Sequence, residues 1–138
     1  IVTNLQNIVA RNATPTEPLV VSVTNFNAGT GAFNVIADTA TLTGTVRSFS
    51  VSNRSLAQNR LRTIVEGICA AHGATAEIDY IEQIDATINT PAETDFAAQI
   101  ARSLVGDAAV HTNADLCMGG EDFGSFLKHK PVSYTHLT

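Results

Sequence analysis

The chain has 138 residues, a formal net charge of −5, 44% hydrophobic and 15% charged residues, which fits one ordinary domain or parts of two and argues against a disordered chain. With 13 acidic against 8 basic side chains it lacks the basic face that phosphate contacts need, so no nucleic-acid partner is expected. No run approaches the roughly 20 apolar residues of a membrane helix, and no membrane association is expected.

Cys69 and Cys117 form neither a zinc pattern nor a disulfide framework, so a reducing, cytoplasmic setting is the expectation. The chain opens on Ile1-Val2-Thr3 with no initiator methionine and no signal-peptide pattern. Those residues read as the tail of a helix already under way, which implies a truncated N-terminus.

Ile1, Leu5, Ile8 and Val9 fall near a period of 3.6, predicting a helix end over residues 1–11. Two prolines and polar residues make 12–18 a loop. Residues 19–26 are rich in β-branched side chains and read as a strand. Residues 27–31, with Gly29 and Gly31, form a turn or loop, and 34–38 continue extended. Over 40–49, Thr41, Thr43 and Thr45 alternate with Leu42, Gly44 and Val46, predicting a second strand with one wet face.

Ser52 or Asn53 is placed to cap a helix over 54–72, whose stripe is Leu56, Leu61, Ile64, Val65, Ile68 and Cys69. Gly73 ends it. Residues 76–81 alternate and read as a third strand. Helix, strand, strand, helix, strand, preceded by one more strand, is the split βαβ arrangement: a four-stranded antiparallel sheet with two helices on one face. The polar stretch 85–91 breaks this pattern and places a domain boundary near 84–91. Pro91 suits the first turn of a helix over 92–105, with Phe96, Ile100 and Leu104 spaced by four. A short helix is expected over 121–128, with Phe123, Phe126 and Leu127 inward.

Four stretches now stand together: residues 5–12 (LQNIVARN), Ala28-Gly29 with 34–38 (NVIAD), 44–49 (GTVRSF) and 118–123 (MGGEDF). In this order and spacing they resemble the bacterial and plant amidohydrolases that include hippurate hydrolase, N-acyl-amino-acid amidohydrolases and indole-acetyl-amino-acid hydrolases. The resemblance covers about residues 1–131. Ala37 stands where that family usually has proline, which costs loop rigidity and not chemistry.

The resemblance implies a two-domain hydrolase. A catalytic α/β domain holds two divalent metal ions (Zn, Mn or Co), and an inserted ferredoxin-like lid often mediates dimerisation. The expected organisation is a lid over 1–84, lacking its first strand, then part of the catalytic domain over 85–131. The whole enzyme would cleave N-acyl amino acids, hippurate-like ones included, as a homodimer or higher oligomer joined through the lid. The general base and metal ligands are expected outside these residues, mainly upstream of Ile1, so no catalytic or metal-binding residue is assigned here. Alone, the fragment is expected to bind no metal and to be inactive.

Four residues are assigned to substrate binding. Arg47 would hold the substrate carboxylate, a role its planar fork suits, or is a solvated strand charge. Asn34 would reach an active site, that of a partner subunit included, or satisfies its own turn. Gly119 and Gly120 precede the helix expected at Glu121 and would offer backbone N–H groups to an anion, with Glu121 and Asp122 capping that helix. His72 suits a helix C-terminus, Cys69 reads as core, and neither His111 nor Cys117 has a neighbour that would make it reactive. Two other readings stand beside the amidohydrolase: a non-catalytic α+β interaction module dimerising through edge strands or helices, and a related metallo-dipeptidase or desuccinylase.

The family pattern stops at Pro131. Residues 132–138 (VSYTHLT) match the translation of GTC-TCT-TAT-ACA-CAT-CTG-AC, a string that resembles a transposon-end sequencing adapter, so they are expected to be non-native and His136 is not taken as a metal ligand. Resequencing the source gene across codons 131 and 132 should show these seven codons absent. Their presence within a longer intact frame would refute the expectation.

Overall fold

A computed structural model describes residues 1–127, 129 and 130; the expected non-native tail, 132–138, lies outside the described residues. The chain divides into two compact units, Ile1–Ile81 and Glu82–Thr138.

The first unit begins with helix α1 (Val2–Leu5), which widens into a π-helical turn over Ile8–Asn12, closed by the Ala13 N–H donating to the Ile8 carbonyl at 3.0 Å. Leu5 and Ile8 point inward, while Val9 is 40% exposed. Strands β1 (Leu19–Ala28) and β2 (Ala40–Ser48) form an antiparallel hairpin running from Leu19 opposite Ser48 to Ala28 opposite Ala40. Helix α2 (Val51–Ala71) packs back against it. Ile8, Leu5, Leu19, Val21 and Ala57 make the core, with Val23, Val46, Leu56, Leu61, Ile64 and Val65 partly buried around them.

The ladder carries one irregularity, between Val23 and Asn25, where Thr24 is the extra residue of a bulge. Side chains alternate faces along a strand, so one extra residue reverses the alternation. Leu19, Val21 and Val23 share the core face. Beyond the bulge Phe26 joins that face opposite Leu42, although its sequence parity would send it to the other. Gly44 sits opposite Val23 at this point, and a Cβ there would run into the Ser22 carbonyl oxygen.

Helix α2 starts earlier than the sequence suggests. Its cap is Ser50, not Ser52 or Asn53: the Ser50 hydroxyl accepts from the Asn53 N–H at 3.2 Å and donates to the Glu17 carboxylate at 3.1 Å. Asn53 is itself buried, and its amide donates to the Glu17 carbonyl at 3.5 Å. The Arg60 Nε donates to the Asn12 side chain at 3.1 Å, tying the same loop further along the helix. At the other end Gly73 (φ +67°) permits paired closing bonds, from Ala74 N–H to Cys69 and from Gly73 N–H to Ala70.

The expected four-stranded sheet is not seen in this unit. The sheet has two strands, and residues 76–81 form no ladder. An alternating sequence becomes a strand only where a neighbour offers backbone groups. In the split βαβ arrangement the last strand pairs with the first, and no first strand exists among the described residues. Residues 34–38 are part of the loop joining the hairpin, with the Val35 N–H donating to the Ala32 carbonyl at 3.3 Å.

In the second unit, helix α3 (Pro91–Val105) has Thr90 as its cap residue and ends at Gly106 (φ +85°). A 3₁₀ turn over Asp107–Ala109 follows, and α4 spans Gly124–Leu127. Gly124 is buried, and a Cβ on it would lie 2.9 Å from the Asp85 carbonyl oxygen, so residues 85–87 rest against the start of α4. Phe123 and Phe126 pack with ring centroids 5.5 Å apart, but Phe126 remains 63% exposed rather than inward.

Two glycine substitutions should move stability in opposite directions. Gly44→Ala drives a methyl group into the bulge backbone and is expected to cost about 1–3 kcal/mol. Gly67→Ala, inside α2 with open space at its Cβ, is expected to gain about 0.5–1 kcal/mol. Thermal unfolding of the 138-residue chain, read by circular dichroism at 222 nm, checks both signs.

Candidate functional site

The two strands contain a single charged residue, Arg47. It sits opposite Val20, on the sheet face away from Leu42 and Val46. That face also carries the pairs Ser22–Thr45, Asn25–Thr43 and Asn27–Thr41. The result is a row of hydroxyls and amides ending in one guanidinium. Thr24, at the bulge, donates to the Thr43 carbonyl at 3.4 Å. Such a surface suits a polar anionic ligand: the guanidinium provides a paired donor for a carboxylate, and no carboxylate stands within these strands to compete. The threonine alternation in β2 foretold a wet face. The asparagines that join it from β1 were hidden, because only the bulge brings Asn25 and Asn27 to that side.

Asn34 lies in the loop between the strands, exposed and flanked by exposed Phe33, Val35 and Ile36. Arg47 stands near the opposite end of the hairpin. From position 40 to position 47 the strand rises about 24 Å. The hairpin therefore does not bring Asn34 and Arg47 together around one small substrate.

Gly119 and Gly120 belong to the second unit. The Gly119 N–H donates to the Cys117 Sγ at 3.3 Å, and a Cβ on Gly120 would approach the Ile84 side chain at 3.0 Å. The helix expected from Glu121 begins instead at Gly124. The Glu121 carboxylate takes the Phe123 N–H at 3.3 Å, and the next bonds, Ser125 to Asp122 and Phe126 to Phe123, close tight turns. The two glycines thus line a loop ahead of a short helix and do not form its first turn. His72 is the C-cap residue of α2, Cys69 is buried on that helix, and His111 and Cys117 are exposed.

Among the described residues no three His, Cys, Asp or Glu side chains gather to hold a metal ion. No helix among them is long and apolar enough to cross a membrane.

What remains is a polar sheet face bearing one guanidinium in the first unit and a glycine-containing loop in the second. No family model matches the chain. It is 40% identical over 129 residues to YhaA of Bacillus subtilis, named as an amidohydrolase, covering 94% of this chain and 32% of that protein. It is 36% identical over 133 residues to the hippurate hydrolase of Campylobacter jejuni, covering 96% and 34%. Further relatives carry the names carboxypeptidase, N-acetylcysteine deacetylase and N-acetyldiaminopimelate deacetylase. A crystal structure described as that of an aminohydrolase from methicillin-resistant Staphylococcus aureus superposes with a TM-score of 0.72 at 28% identity, over 95% of this chain and 33% of that one. Over nearly its whole length the chain is similar to one part of proteins named as amidohydrolase, hippurate hydrolase and deacetylase, hydrolases that act on amide bonds. It spans about a third of the length of the curated relatives it matches.

Proposed function

We propose that these residues are the lid and an adjoining part of the catalytic unit of a metal-dependent amidohydrolase that cleaves N-acyl amino acids. The observation that carries the reading is homology across 94–96% of the chain to one third of proteins named as amidohydrolases, hippurate hydrolase among them. Two divalent ions (Zn, Mn or Co), held by residues elsewhere in the polypeptide, would supply Lewis acidity when bound. Within this chain, Arg47 holds the α-carboxylate of the amino-acid half through paired hydrogen bonds, on the polar sheet face where it is the sole charge. The backbone N–H groups of the Gly119–Gly120 loop line the pocket in the second unit. The location proposed is cytoplasmic.

The lid in this reading has four strands. Two helices lying side by side, each about 10 Å across, cover roughly 20 Å of sheet, which is the width of about four strands at 4.8 Å spacing. The hairpin supplies half that width. Residues 76–81 would supply an outer strand once an inner one lies between them and β2.

The separation of Asn34 from Arg47 along the hairpin supports assembly as a homodimer through the lid. Asn34 then serves the site of the partner subunit, while Arg47 serves its own. The carboxypeptidase among the relatives, 37% identical, favours a second reading in which the acyl group is itself an amino acid and the substrate a peptide.

The test is to express the complete reading frame, strip it with a chelator, and restore Zn²⁺, Mn²⁺ or Co²⁺ before assaying hippurate, N-acetyl amino acids and dipeptides. Metal-dependent release of free amino acid is expected. Arg47→Ala should lower kcat/KM by about 10–100-fold, the worth of one charged hydrogen-bond pair. Absence of hydrolysis with every metal and every substrate class would overturn the reading.

A further inference from the structure

The stretch Met118-Gly119-Gly120-Glu121-Asp122-Phe123-Gly124 carries three glycines in seven residues. Among the described residues the glycines with positive φ are Gly29, Gly31, Gly73 and Gly106. None of the three therefore owes its place to a backbone conformation that other residues avoid. Space explains two of them. A Cβ on Gly120 would stand 3.0 Å from the Ile84 Cδ1. One on Gly124 would stand 2.9 Å from the Asp85 carbonyl oxygen, 3.1 Å from the Thr87 Oγ1 and 3.3 Å from the Ala86 carbonyl oxygen. Gly120 and Gly124 thus rest on one continuous segment, residues 84–87, within the same unit. Between these two points the loop is braced by its own bonds. The Glu121 carboxylate takes the Phe123 N–H at 3.3 Å, and the Ser125 N–H donates to the Asp122 carbonyl at 3.0 Å. A loop braced this way takes its position from its two ends.

We infer that residues 84–87 are the seat that sets the Gly119–Gly120 loop in the substrate pocket, with Ile84 as a positioning residue for the proposed hydrolysis. The inference rests on the reading that this loop lines the pocket. Ile84 acts through the Gly120 backbone and not by touching substrate. Its branching at Cβ makes it stiff at χ1, which suits a fixed support. It is also 44% exposed, so the fold tolerates its truncation.

The test uses the product of the complete reading frame with metal restored, on the N-acyl amino acid it hydrolyses fastest. Ile84→Ala should raise KM about fivefold with kcat within about twofold, the loss of roughly one hydrogen bond made equally to substrate and transition state. Ile84→Leu, which keeps the volume, should restore most of that loss. Gly120→Ala alone should also raise KM. Adding it to Ile84→Ala should bring KM back to within about twofold, because the methyl group enters the space the isoleucine leaves. A lowered melting temperature with KM unmoved would make Ile84 a packing residue and overturn the inference. So would KM increases that simply multiply in the double variant. A complete protein that hydrolyses no substrate with any metal would instead overturn the amidohydrolase reading on which the inference rests.

Discussion

Ile8 is fully buried where three elements meet, and the first unit depends on that meeting. It is the last residue of the first helical segment to face inward before the turn widens. It packs with Leu5 against Leu19 and Val21 of β1 and against Ala57 of α2. Ala57, also fully buried, is small enough to let α2 lie close. This one apolar contact sets both helices on the same face of the hairpin, and so leaves the opposite face, with Arg47 and its row of hydroxyls and amides, turned outward. The placement of the candidate site follows from the core, not from any contact made by the site residues themselves.

Much of this was legible in the sequence. The hairpin, α2 and α3 follow from periodicity, and Gly73, Pro91 and Gly106 mark helix ends through backbone preferences that need no tertiary information. What was not legible depends on partners. The alternation in 76–81 is real, but a strand is a relation between two segments. Ser50 caps α2 because Glu17, more than thirty residues earlier, comes to meet it, whereas Ser52 and Asn53 looked equally able from local sequence. The Thr24 bulge is an inserted residue without a compositional mark, so the transfer of Phe26 to the core side and of Asn25 and Asn27 to the site side could not be read in advance. The glycine loop misled for a related reason: the Glu121 carboxylate captures a backbone donor and delays the helix to Gly124.

The chemistry of the proposed enzyme is divided between these residues and the remainder of the polypeptide. In the proposed reading these residues would contribute recognition: a guanidinium on a polar sheet face, an amide on an exposed loop and a glycine-lined turn. Arg47 is the one charged residue of the two strands, so a carboxylate arriving on that face would meet one guanidinium among neutral hydroxyls and amides. The loop bearing Asn34 is apolar at its tip, which suits a segment that docks elsewhere better than one left in water. In the second unit helix α3 turns Phe96, Ile100 and Leu104 outward.

The central claim is that the first unit belongs to a four-stranded lid in the whole protein, and residues 76–81 test it most directly. Amide hydrogen exchange at residues 76–81 would be followed in the 138-residue chain and in the product of the complete reading frame. The account predicts rapid exchange in the short chain and strong protection in the complete protein, as an inner strand pairs with 76–81. Rapid exchange in both would contradict it, because these residues would then have no place in the sheet.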